Sequence, residues 1–407
     1  MTPWLHIIGF GEGDVPFIPP DAATVIGPER IIERLSTPRA EDATLPFAGE
    51  SGPTLVPWPS LKLDAMVSFI EQHRGTPTVL LASGDPLWFG IGATLSRHLD
   101  PAEYRVTPHA SSFQYAAARQ HWPLQHVVTL SAHARPAEVI HPHITPGNRI
   151  LALTTDATTA PHVARLLTER GYGRSIVTVL ENLGGPAERI SSAEAHAFDL
   201  AIGEFYVLAI ECVADPDAPL LSAVPGLPDD VFVTDGQLTK RDVRAATLAR
   251  LAPYPGALLW DIGAGCGSIA IEWLRAARDT RAIAFEHEGE RLQMIAVNAG
   301  NLGVPHLRIE NGDAPASLAG MPTPDAIFLG GGVGDETLFQ SAWDALRPGG
   351  RFVANAVTLD GEQALLQRQA RLGGELTRID IATLDTIGSH RAFRPRMPVT
   401  QWAITKP

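Results

Sequence analysis

The residues whose types and spacing could do chemistry lie in two clusters of glycine and acid. The first is Gly9-Phe10-Gly11-Glu12-Gly13-Asp14, completed downstream by Ser83-Gly84-Asp85-Pro86 and Gly90. The second is Asp261-Ile262-Gly263-Ala264-Gly265-Cys266-Gly267. Glycines so spaced allow a tight turn and let the backbone approach a ligand closely. An apolar run precedes each cluster, as a strand leading into a binding loop would.

Around the second cluster the acids are informative. Leu258-Leu259-Trp260 reads as a strand ending at Asp261, and a helix with unpaired N–H groups is expected after Gly267. The next strand ends at Glu286. An acid there, about twenty residues on, can accept both ribose hydroxyls of a nucleoside. Asp313 follows the third strand and is placed to accept from an adenine amino group, and Asp261 is placed to meet an ammonium group. A dinucleotide loop would want a glycine at Ser268, and pyrophosphate calls for no acid at 261. The pattern therefore favours S-adenosylmethionine (SAM) over NAD. Gly330-Gly331-Gly332, after the fourth strand, would either let a large flat ligand lie near the backbone or form a flexible turn. No Asn/Asp-Pro-Pro-aromatic motif stands there, which disfavours the amines of DNA as substrate.

The elements that must position these residues alternate along the chain. Strands are expected at 4–9, 78–83, 126–130, 149–154, 175–180 and 205–211, with helices over 62–73, 113–120 and 158–170. Later strands are expected at 257–262, 281–286, 306–310, 325–329, 350–355 and 398–404, with helices over 240–251, 267–278, 288–301 and 335–346. Alternation predicts an α/β fold, doubly wound and Rossmann-like in its second part. Four prolines and no periodicity mark 213–232 as a linker between domains over 1–212 and 233–407.

Composition narrows the function. The chain has 407 residues, 45% of them hydrophobic, which suits two or three packed domains. The formal charge is −13, with acids in excess in both halves, so nucleic acid is a poor partner. Cys212 and Cys266 form no metal or disulfide pattern. His141-Pro142-His143 lacks an acidic partner, so no metal site is expected. No apolar run is long enough for a membrane span and no secretory signal is visible, so a cytosolic protein is expected.

Residues 4–14 with Ala82-Ser83-Gly84-Asp85-Pro86 and Gly90-Ile91-Gly92 resemble the tetrapyrrole methylases. Ser111-Ser112-Phe113-Gln114 and Thr154-Thr155-Asp156 fit the same family, whose domain is a two-lobed α/β unit. Glu12 departs from it, since proline is common at that position. Residues 233–407, with Gln237-Leu238-Thr239-Lys240-Arg241 ahead of the Asp261 loop, resemble the decarboxylating precorrin methylases. The two in this order resemble the bifunctional C5,15-methyltransferases of cobalamin synthesis. The resemblance implies two SAM sites, methylation of precorrin-6B at C5 by the first domain, and methylation at C15 with loss of the C12 acetate carboxyl by the second, giving precorrin-8. A cobalt-containing ring or another macrocycle is the alternative substrate, and self-association is expected.

By resemblance, Gly9, Gly11, Gly84, Asp85, Ser111 and Ser112 hold the first SAM. Thr239, Gly263, Gly265, Gly267, Glu286 and Ala314 hold the second, joined by Asp261 and Asp313 from their places at the strand ends. A substrate rich in carboxylates needs arginines. The candidates are Arg135 with His133 in the first domain, and Arg244, Arg391, Arg394 and Arg396 in the second, with Gly331 against the ring. The run 389–396 reads somewhat better as a solvated loop. No proton donor is identified.

Overall fold

A computed structural model of the chain describes residues 3–36, 52–59 and 63–407. Residue 62, where one helix was expected to start, lies outside them. The chain divides into two compact units, Met1–Arg135 with Pro146–Ala218, and Pro136–Thr145 with Pro219–Pro407.

In the first unit, strands β1 (Leu5–Phe10), β2 (Thr24–Gly27), β3 (Thr54–Pro57), β4 (Thr78–Ser83) and β5 (Tyr104–Thr107) form a parallel sheet ordered β3-β2-β4-β1-β5. Its helices are α1 (Glu29–Ser36), α2 (Leu63–Glu71) and α3 (Ile91–Leu95). The apolar runs of β1 and β4 follow from burial on both faces. Along β4, Val79 and Leu81 join the core that holds Ile31, Ile32 and Leu35 of α1. Leu80 and Ala82 join the one that holds Met66, Val67 and Ile70 of α2. That is the two-residue period of a strand.

A second sheet of this unit, ordered β6-β7-β10-β8-β9, comprises β6 (Val128–Ser131), β7 (Arg149–Leu153), β8 (Ile176–Glu181), β9 (Arg189–Glu194) and β10 (Tyr206–Glu211). Only β6 and β7 pair in parallel. Helix α4 (Ser112–Gln120) buries Phe113, Ala116 and Ala117 against Leu151, Leu180 and Ala209. Helix α5 (Thr159–Glu169) completes the unit.

The second unit holds a seven-stranded sheet ordered β13-β12-β11-β14-β15-β19-β16. Five strands are parallel: β11 (Leu258–Ile262), β12 (Arg281–Glu286), β13 (Arg308–Asn311), β14 (Ala326–Leu329) and β15 (Arg351–Ala356). β16 (Glu375–Ile379) and β19 (Val399–Thr405) run antiparallel to their neighbours, and β17 (Ala382–Ile387) with β18 (His390–Pro395) forms a separate hairpin. Helices α6 (Arg241–Leu251), α7 (Ser268–Ala276), α8 (Gly289–Asn301), α9 (Glu336–Ala345) and α10 (Leu359–Leu372) cover the sheet.

Several expectations change. The run 389–396 is mostly strand β18 rather than a loop. The 3-10 turn Ala137–His143 groups with the second unit. The segment 219–232 is packed chain, with Leu221, Leu227 and Phe232 buried in the main core of the second unit. β2, β3 and β5 add strands of four residues each to those expected.

Candidate functional site

In the second unit a cavity of about 1010 Å³ opens at the carboxyl ends of β11, β12, β14 and β15. That is where open α/β sheets bind ligands. Gly263 and Gly265 stand on its wall with Thr239, Glu286, Asp313 and Ala314, and Gly331 faces them. Gly263 has φ +71°, and a Cβ there would lie 2.7 Å from the Gly331 nitrogen. The two glycine loops therefore touch through bare backbone, which accounts for glycine at 263, whereas a Cβ on Gly331 would meet only Gly263 Cα at 3.4 Å, an ordinary contact. Gly267, also left-handed at φ +80°, precedes α7.

Glu286 is buried yet lines the cavity. One carboxylate oxygen accepts from the Gly265 N–H at 2.9 Å, and the other from the N–H groups of His287 and Glu288 at 2.9 and 3.1 Å. A ribose hydroxyl would meet an acceptor already held in place. Asp313 is exposed on the rim.

Asp261 behaves otherwise than its spacing suggested. It is 1% exposed and absent from the cavity wall; one oxygen accepts from the Ala270 N–H at 3.0 Å and the other has no hydrogen-bond partner. It braces the first turn of α7 rather than reaching a ligand ammonium. Burial, with the nearby Glu286 charge adding, pushes its carboxyl up to about 7. The folded state then holds a proton that the unfolded state has already lost. Stability from this group is fullest below the ordinary carboxylate range and falls as pH rises towards 7, by about 1.4 kcal/mol per pH unit. Urea unfolding of the ligand-free protein at pH 5 and pH 8 should show this decline in the second unit, and Asp261→Asn should flatten it.

Arg244 is not available to a substrate carboxylate. It is fully buried, ion-paired with Glu272 at 2.5 Å and Asp229 at 3.0 Å, and donates to the carbonyls of Thr239 and Leu227. Glu272 in turn accepts from the Gly226 and Leu227 N–H groups. This buried pair clamps the chain that carries Gln237, Leu238 and Thr239 to the cavity.

Arg391 and Arg394 also fall elsewhere. Both lie on β18, where Arg394 pairs with Asp385 at 3.2 Å, and neither lines the cavity. Hairpin formation lifts them away, whereas Arg396 just beyond it does reach the wall, as do Lys240, Asn355 and Met397. Sequence reasoning missed Lys240 and Asn355. The available signal for Asn355 was its place at the end of an expected strand.

The glycines of the first unit converge at the carboxyl ends of β1, β4 and β5. A Cβ on Gly9 would lie 2.5 Å from the Gly84 carbonyl and 2.7 Å from His109 Cβ, and one on Gly84 would meet the backbone of Ser111 and Ser112. Ser111 caps α4 in a capping box with Gln114. Gly11 donates to Asp14 at 3.0 Å, and Asp14 meets His109 Nε2 at 2.7 Å, a contact that no sequence argument had singled out. Glu12, where the resembling family commonly has proline, pairs with Arg30. Asp85 accepts from the Leu87 N–H and shapes its own turn. His133 lies after β6 with its ring near the Thr154 carbonyl, and Arg135 is in the exposed loop beyond. No described contact brings either to the Gly9 loop.

A glycine loop and a pinned acid at the carboxyl ends of a parallel sheet define the second unit as a nucleoside-cofactor domain of the class I methyltransferase type. Residues 230–406 match the family described as precorrin methyltransferase domain, and residues 5–198 the tetrapyrrole (corrin/porphyrin) methylases. The chain is 46% identical to a precorrin-6Y C(5,15)-methyltransferase (decarboxylating) of Sinorhizobium sp, over 100% of this chain and 97% of that protein. It is 40% identical to the Mycobacterium tuberculosis (strain ATCC 25618 / H37Rv) protein of the same name, over 86% and 87% of the two chains. A crystal structure of the C-terminal domain of precorrin-6Y C5,15-methyltransferase from Rhodobacter capsulatus is 46% identical, covering 46% of this chain and 100% of that one at a TM-score of 0.44. The chain belongs to the decarboxylating precorrin-6Y C5,15-methyltransferases and is a SAM-dependent methyltransferase.

Proposed function

We propose that this chain methylates precorrin-6B at C5 and C15 and removes the C12 acetate carboxyl, using one SAM site in each unit. The carrying observation is a full-length relationship to bifunctional decarboxylating enzymes in a chain with two separate glycine sites. In this proposal 1–212 serves C5, 233–407 serves C15 and decarboxylation, and 213–232 joins them. The two sites use the residues given above, less Asp261, Arg244, Arg391 and Arg394 as ligand contacts. Self-association and a cytosolic location complete the proposal, on family grounds. No described helix is long and apolar enough to cross a membrane.

Methyl transfer from a sulfonium is an in-line displacement, and the meso carbons of a reduced tetrapyrrole are enamine-like nucleophiles. Rate then comes from alignment and exclusion of water rather than from a strong base. Lys240 and Arg396 line the cavity without a carboxylate partner among the described residues, which suits them to the acid side chains of the ring. Mass spectrometry of the product should show the gain of two methyls and the loss of CO2, and calorimetry two SAM equivalents per chain. A single methyl, or a single equivalent, would refute the bifunctional assignment.

A further inference from the structure

The cavity of the second unit has two chemically different ends. Glu286 and the Gly263 loop occupy the β11–β12 end; Asn355, at the carboxyl end of β15, occupies the other. Behind Asn355 lies a buried polar cluster. Thr247 of α6 is 0% exposed and Gln401 of β19 is 2% exposed. The Thr247 hydroxyl donates to the Val243 carbonyl at 2.8 Å, so towards Asn355 it can only accept. The Asn355 side-chain nitrogen therefore faces Thr247, at 2.8 Å, and its oxygen faces the Gln401 amide, at 2.9 Å. With the Thr247 hydroxyl on the Val243 carbonyl and the Gln401 amide donating to Thr247 at 3.1 Å as well, a flipped Asn355 would set acceptor against acceptor and donor against donor. One N–H of Asn355 is spent on Thr247, and the second has no partner among the described residues.

We propose that Asn355 holds the acetate that is lost, through this second N–H, while Lys240 and Arg396 hold carboxylates that are kept. The inference rests on the function proposed above. The bond that breaks joins the acetate methylene to the carboxyl carbon. Its electron pair enters the protonated ring system, CO2 leaves, and the methylene carbon takes up a proton from solvent to become a methyl. Negative charge leaves the carboxyl during this step. A cation on that carboxylate would stabilise the starting state more than the transition state, whereas a neutral donor orients it without locking the charge in place. Thr247 and Gln401 are positioning residues, because they act through the amide.

The full chain, supplied with tetrapyrrole substrate and SAM, tests this. Wild type should release one CO2 for every two S-adenosylhomocysteine formed. In Asn355→Ala, CO2 per S-adenosylhomocysteine should fall about ten- to a hundredfold, the cost of a misoriented acetate. A doubly methylated product heavier by one CO2 should accumulate, and SAM affinity should be unchanged. Thr247→Val, which keeps the side-chain shape but removes the hydroxyl that accepts from Asn355 and Gln401 and donates to Val243, should lower the ratio in the same direction and decides the matter if the first variant does not fold. An unchanged ratio, or equal loss of methyl transfer and CO2, would overturn the role of Asn355. A wild-type enzyme that methylates but releases no CO2 would instead overturn the function on which it rests.

Discussion

Gly263→Val should abolish SAM binding in the second unit while leaving one equivalent bound per chain. The new Cβ would sit 2.7 Å from the Gly331 nitrogen and 2.8 Å from its Cα. Neither backbone atom is the end of a flexible side chain, and φ +71° disfavours any branched residue. Opening the two loops to make room destroys the wall that carries Gly265 and Gly331. We expect affinity at this site to fall at least about a hundredfold, roughly 2.7 kcal/mol. The product should gain at most one methyl and keep all its carboxyls. Gly9→Val is the counterpart, since its Cβ would lie 2.5 Å from the Gly84 carbonyl. It should remove the other equivalent. Calorimetric stoichiometry checks both: two equivalents surviving in either variant, or none, would contradict independent sites.

The second large effect is on stability. Arg244→Met should destabilise the second unit by about 3–5 kcal/mol, because it strands the buried Glu272 charge. Its partners extend the damage. The Arg244 guanidinium also holds the Thr239 and Leu227 carbonyls, so the segment that delivers Thr239 to the cavity should loosen. Urea unfolding should show a lowered midpoint for this unit, and SAM titration a weakened second site. Lysine should not rescue, since one ammonium cannot reproduce the fork that meets Glu272, Asp229 and two carbonyls together. A variant with unchanged midpoint would mean that the clamp contributes nothing.

The glycine-loop side of the site was legible because its signals are local. A strand, a glycine loop and the acid ending the next strand follow one another in the chain, and Glu286 accepts from the Gly265 N–H on the cavity wall. Charge alone did not discriminate among the arginines. Arg244, Arg391, Arg394 and Arg396 are equivalent as letters, but one is buried against Glu272, two ride on a hairpin, and one reaches the cavity. Asp261 shows the same limit at shorter range, since the strand's alternation turned it into the protein, against α7.

The sequence by itself determined two α/β folds, a glycine-rich loop in each, and the acid at Glu286. These depend on period and on neighbours within one strand–loop–helix unit. Only the tertiary structure decided which side chains share the cavity with that loop. Asn355, Thr247 and Gln401 come from β15, α6 and β19, and their distances follow from strand order and register, the Asn355–Gln401 pairing above all. No local pattern records such a meeting, because the hydrogen bonds that orient the amide form only after the sheet has brought distant segments side by side.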